Sequence, residues 1–351
     1  MRVVFLLFIL ATLPQRAYAQ SVTAGADFLF YGDNTEFANP FREGETILGT
    51  AGRVYLDFEL SEAATLRAGF FGKGRYGSHR ALEDAEPVIA LELKRGTSKF
   101  IFGSLDTSAT RRVRAGPDED TPHALLPPLE RETLTFTRAH EMGLQWRVES
   151  PRAAHDIWID WQRLNTGDHR ERFDAGLRAR VPLHASLALH AQWHIVHEGG
   201  QQFASGPVRD SQAGAAGAEW VRRFGDTELE LDAHAVATRE VPDRERPERS
   251  QNGLGVFTRV AVERHDWRVH AIVWRSRDTL KEEGDPNYLM LRRNGTLFRK
   301  IRDYGELGIT RHWRPAQDVQ FDASVRLHRT ESFYEYSYRL IARVWLRYPL
   351  R

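Results

Sequence analysis

The chain has no cysteine among its 351 residues, only three methionines, and no excess of charge of either sign. Without cysteine there are no disulfides, no thiolate metal sites and no attachment point for an N-terminal lipid anchor. Lysine and arginine number 49 against 48 acidic residues, and loss of Arg2 and Arg16 with a leader leaves 47 against 48. No polyanionic partner is implied, and no basic stretch stands apart from acidic residues, which argues against nucleic acid. Long apolar runs are also missing. After Val3 to Leu13 nothing approaches the roughly 18 to 20 apolar residues of a spanning helix. A mean hydropathy of −0.50 is foreign to a helical membrane protein. Catalytic signatures are lacking too: there is no G-x-S-x-G, no H-E-x-x-H, and no tight His/Ser/Asn cluster on adjacent outward positions. His190 and His194 are four apart, which on a strand separates them by about 13 Å, too far to share a metal. The residues therefore assign no catalytic group, no metal and no cofactor, and the expectation is a protein that is not an enzyme.

What is present is a leader and a rhythm. Arg2, the apolar run to Leu13 and Ala17-Tyr18-Ala19 before Gln20 make residues 1–19 a secretory signal peptide. From residue 20 to 351 the chain alternates apolar and polar residues in runs of 10 to 16, as in Phe173 to Val181 and Val319 to Leu327. Successive strand side chains point to opposite faces, so each run has an oily face and a charged one. Strands of soluble proteins average about 5 to 6 residues, whereas a tilted strand crossing a bilayer needs about 9 to 11. The phase predicts strands near 22–31, 45–60, 64–76, 86–95, 98–106, 132–149, 154–164, 171–183, 185–198, 211–224, 226–239, 251–265, 267–278, 302–314, 318–331 and 334–348. Connections are short at every second junction and mostly longer between, notably 32–44, 107–131 and 279–301. The expected fold is all-β, a single transmembrane antiparallel up-and-down barrel of about sixteen strands. Asn294-Gly295, a strong hairpin signal, leaves eighteen as the alternative.

With signal peptide, even strand count and short/long rhythm in hand, the whole mature chain resembles the bacterial outer-membrane porin-like β-barrels. The resemblance implies a bacterial outer-membrane location, contact with outer-membrane lipid, insertion by the barrel assembly machinery, and a role as diffusion channel or exporter. It also implies a third outer loop folded into the lumen, which makes Arg111, Arg112, Arg114, Asp118, Glu119 and Asp120 constriction candidates. The family's terminal aromatic is absent, since Tyr348 is followed by Pro349, Leu350 and Arg351.

The inward phase collects the pore-lining candidates Arg53, Asp57, Arg67, Arg147, Asp160, Arg178, Arg180, His190, His194, Glu230, Asp232, Arg259, Glu263, Arg268, Arg326, Arg339, Arg343 and Arg347. Both signs are abundant, which argues against a strongly ion-selective pore. Arg339, Arg343 and Arg347 form a basic stripe, and Glu228, Glu230 and Asp232 an acidic one. These charges either impose a transverse field or pair across strands. Segment 33–46, Asp33-Asn34-Thr35-Glu36-Phe37 through Thr46, reads as a ligand-facing or lumen-plugging loop, or as Asx-type and Asn-Pro turns. The expected function is passage of small hydrophilic solutes through a charged, water-filled lumen. The alternatives are the exit barrel of a polysaccharide export system, with periplasmic partners, or a non-conducting scaffold or adhesin. A homo-oligomer is a further partner expectation.

Overall fold

The structure is a computed structural model, and it describes residues 21–107, 121–200, 202–203 and 206–350. Sixteen strands follow one another: β1 Ser21–Glu36, β2 Glu45–Ser61, β3 Ala64–Arg75, β4 Asp84–Arg95, β5 Ser98–Ser104, β6 Met142–Glu149, β7 Ala154–Arg163, β8 Glu171–His184, β9 Leu187–Gly199, β10 Arg209–Phe224, β11 Thr227–Val241, β12 Gln251–Arg264, β13 Trp267–Arg277, β14 Arg302–Ala316, β15 Val319–Thr330 and β16 Phe333–Pro349. Each pairs antiparallel with its neighbour, and β1 pairs with β16, so the sheet closes into a barrel. Closure leaves no unpaired edge, which is what lets strands lie in hydrocarbon. The short turns lie at the end that carries both termini, and the long connections at the other, which is the outer end of such barrels.

The alternation sorts side chains as expected. On β12, Leu254, Val256, Val260 and Val262 stand exposed on the outside while Phe257, Arg259 and Ala261 are buried inside. The leader and the six constriction candidates Arg111 to Asp120 lie outside the described residues.

One alternative about the connections closes and one expectation changes. Segment 279–301 adds no wall strands, so the count is sixteen and not eighteen; its Asn294-Gly295 turn is framed by a lone bridge between Leu291 and Leu297. The strand expected from residue 132 begins only at Met142, because Leu134, Thr135 and Phe136 make a helical turn, Leu134–Thr137, inside the barrel. Period-2 spacing of Leu134 and Phe136 fits a strand, but burial of both against luminal side chains wins.

Residues 121–141 thus form a plug. Gly103, with φ +103°, and Gly143 face each other where β5 and β6 part, and a Cβ on either would collide with a neighbouring carbonyl at about 2 Å. Only glycine permits the inward turn there. Leu105 then donates its N–H to the Glu141 carbonyl at 2.9 Å, closing the neck. Plug residues Leu125, Leu126 and Leu129 pack with wall residues Trp158, Val236, Phe257, Ile272 and Trp274, and Phe136 and Ala139 with Tyr31, Tyr55, Phe71 and Ile341. Each fully buried leucine contributes about 2 kcal/mol. The inside of this barrel is a packed core.

Candidate functional site

The charges of the inner wall are largely matched by near neighbours. Arg53 and Arg347 both bind Asp27, Arg67 binds Asp57 and lies 3.6 Å from Glu92, Arg147 binds Asp106, and Arg343 binds Asp322, at 2.5 to 2.9 Å for the hydrogen-bonded pairs. Arg180 and His190 share Glu219, His194 meets Asp174, and Asp160 accepts from the Met142 N–H. Arg178 stands opposite Asp156. Arg259 contacts Asp232 and Glu230, and Arg268 holds Glu230 at 2.9 Å with Glu263 at 3.7 Å. The basic and acidic stripes are therefore neutralised pair by pair on adjacent strands, and the transverse field does not arise.

Two clusters fix the plug. His123 stacks on Trp158 with centroids 3.8 Å apart and rings 5° from parallel. Its Nε2 lies 2.8 Å from Glu141 and its Nδ1 3.2 Å from Asp156. Burial disfavours the imidazolium, but the carboxylates of Glu141 and Asp156 outweigh it and push its pKa up to about 9. The second cluster brings Glu130, Asp174, His194 and Glu283 within 4.8 Å of one another. Arg138 donates to Asp174 at 2.7 Å and to Glu283 at 2.8 Å, with Glu130 at 3.6 Å. Buried Lys281 stands near the same carboxylates, and burial lowers its pKa despite Glu283 and Asp174. The guanidinium thus takes the place a metal ion would need, and the cluster reads as a plug anchor. Burial, together with Asp174, raises the Glu130 carboxyl well above its usual range despite Arg138.

The chemistry-bearing arrangement lies near the outer end, where β14, β15 and β16 meet. Register sets Glu306 opposite His328 and Arg326 opposite Ser337, all in the inward phase. Tyr304 Oη donates to Glu306 at 2.6 Å, and His328 Nδ1 lies 2.8 Å from the same Oη. With the tyrosine proton committed to Glu306, Nδ1 is the donor to Tyr304 Oη, and Nε2 lies 2.8 Å from Ser337 Oγ. His270 Nε2 holds the other Glu306 oxygen at 2.9 Å, and Phe37 abuts the His328 ring edge-on at 4.8 Å. A serine hydroxyl is therefore aligned on a histidine that is oriented by a tyrosine–carboxylate pair, the arrangement an activated nucleophile needs.

These groups line a closed chamber of about 20 Å³, room for one water molecule. Its lid is chain from segments 36–45, 121–141 and 279–300. Arg42 binds Asp285 at 2.8 Å, and Glu132 of the plug binds both Arg326 at 2.6 Å and Arg339 at 2.8 Å. Burial would raise the Glu132 carboxyl, but Arg326 and Arg339 overcome it and hold it at about 2. Segment 33–46, read from sequence as ligand-facing or lumen-plugging, supplies Asp33, Thr35, Phe37 and Arg42 to the chamber.

Of the residues proposed from sequence, Arg326 and Arg339 fall in this chamber; Glu132, Tyr304, Glu306, His328 and Ser337 were missed. Ser337 belongs to the same inward phase as Arg339, Arg343 and Arg347, so its side of the wall was readable. Its meeting with His328 was not, because that depends on the register of β15 and β16.

A family model for the lipid A 3'-O-deacylase type matches residues 14–350. No curated protein sequence matches. Among solved structures, a loop-deletion form of OmpT, an outer membrane protein of Vibrio cholerae, superposes with TM-score 0.56 at 9% identity, covering 93% of this chain and 100% of that one. OpdL of Pseudomonas aeruginosa gives 0.54 at 11%, covering 93% and 99%, and OccK8 (OprE) of the same organism 0.52 at 10%, covering 96% and 100%. These likenesses concern the fold, and with the closed sixteen-stranded wall they make the chain a bacterial outer-membrane β-barrel. The match to an enzyme family overturns the expectation of a protein without catalytic activity. Motif searches test residues near each other in sequence, whereas Glu306, His328 and Ser337 come from three strands.

Proposed function

The chain belongs to the lipid A 3'-O-deacylase-type family, and from that premise we propose that it hydrolyses an ester-linked acyl chain of a lipid A-type glycolipid at the outer face of the membrane. One observation carries the reading: the continuous line from Ser337 through His328 and Tyr304 to Glu306. Ser337 Oγ attacks the ester carbonyl carbon while His328 Nε2 takes its proton. The C–O bond to the sugar breaks, and His328 returns the proton to the departing sugar hydroxyl. Water, deprotonated by the same nitrogen, then releases the fatty acid from Ser337. Glu306 and Tyr304 keep Nδ1 protonated and stabilise the imidazolium that forms.

The test is release of fatty acid from lipid A by the purified, refolded protein, followed by mass spectrometry. Ser337→Ala and His328→Ala should each lower the rate by about a thousandfold or more. Unchanged release in both variants rejects the assignment. A second reading, a conduit for polar solutes, draws on the paired charges along the wall and requires the plug to leave the lumen.

A further inference from the structure

Glu132 is a plug residue, yet its best partners are on the wall. A single oxygen, Oε2, is shared by Arg326 Nη1 at 2.6 Å and Arg339 Nη1 at 2.8 Å. Both arginines are nearly buried, with side-chain exposures of 12% and 8%. They sit beside the nucleophile: Arg326 is directly opposite Ser337 in register, and Arg339 is the next inward residue on β16. Arg339 also binds Asp33 at 3.2 Å, and Arg326 lies 3.8 Å from Glu306. Two guanidiniums converging on one oxygen make the geometry that recognises a phosphate or another compact oxyanion. Here a carboxylate of the chain itself fills it.

Resting on the deacylase reading, we propose that Arg326 and Arg339 form a subsite for a phosphate group of the substrate, and that Glu132 is an internal stand-in for that anion which keeps the chamber shut. The chamber's 20 Å³ excludes an acyl ester, so the plug edge at Glu132 must move before the substrate reaches Ser337. Moving it removes the acceptor shared by two buried guanidiniums, at the cost of a charge-assisted hydrogen bond for each. A phosphate arriving in the same place restores both. Opening is thereby coupled to a substrate that carries an anion, and a neutral ester gains nothing.

The test measures binding, so it does not depend on turnover. Full-length Ser337→Ala protein, with and without Glu132→Gln, is titrated in detergent with lipid A, with enzymatically dephosphorylated lipid A, and with inorganic phosphate. Retention of the heat-modifiable gel mobility of a folded barrel checks the variants. Glu132→Gln should tighten lipid A about tenfold and leave the dephosphorylated lipid unchanged, and adding Arg326→Gln should erase the gain. Tightening for inorganic phosphate but not for lipid A supports the anion seat and assigns it to free phosphate. Equal affinity with and without Glu132→Gln, or an equal shift for both lipids, overturns the proposal. If the wild-type chain hydrolyses nothing while these shifts occur, the deacylase reading fails and the subsite stands.

Discussion

His123 is the residue on which the plug turns. It adopts φ 54°, followed by Ala124 at 57°, a left-handed pair that non-glycine residues enter only under constraint. The stack on Trp158 and the two carboxylates supply that constraint. Its folded pKa of about 9 lies above the ordinary value of 6.5, so the stabilisation is complete below about pH 6.5 and is lost as pH rises through 9. The size is on the order of 3 kcal/mol. Limited proteolysis within 121–141 should therefore accelerate between pH 8 and pH 10 in the native chain. A His123→Gln variant should be cleaved readily across the range. A flat profile in the native protein would show that the imidazolium does not hold the plug. Nothing in the sequence marks this histidine among fourteen; its partners Glu141 and Asp156 are distant positions that only the inward fold of the plug unites.

At the scale of elements, the plug is an insertion into an otherwise ordinary hairpin. Ser104 and Met142 face each other in register, so β5 and β6 could be joined by a tight turn without it. Replacing residues 105–141 by a two-residue Asn-Gly turn should yield a barrel that still inserts and conducts ions in planar bilayers, and the full chain should be silent in the same assay. A deletion variant that inserts and stays silent would mean that the plug is not the barrier. The strands themselves were readable from alternation, as β8, β9, β12 and β15 show within a residue or two. The plug was not, because Leu125, Leu126, Leu129 and Phe136 are apolar for packing inside a lumen, and that pattern resembles wall strand when read along the chain. The proposed catalytic line was hidden for a related reason: Glu306, His328 and Ser337 lie one each on β14, β15 and β16, and no single element carries the motif.

Across the whole molecule, adjacent residues live in different solvents. Val260 faces lipid near the middle of β12, and Arg259 beside it is buried in the lumen with Asp232 and Glu230. Val260→Arg should cost about 2 to 4 kcal/mol by placing a charge in hydrocarbon. Arg259→Leu should cost about 3 to 5 kcal/mol by removing the guanidinium bound to buried Asp232, while Glu230 keeps Arg268. Reversible urea unfolding in phospholipid vesicles measures both, and a neutral Val260→Arg would contradict the assignment of faces. This division of faces and the membrane location are determined by the sequence alone, because a period of two and a run length are local properties that any window reveals, whereas the choice of sixteen strands over eighteen waited on the fold of segment 279–301. The plug in the lumen, the guanidiniums gathered on Glu132, and the alignment of Ser337 on His328 were decided only by the tertiary structure. They depend on barrel closure and on strand register, which bring together side chains that sequence distance keeps apart.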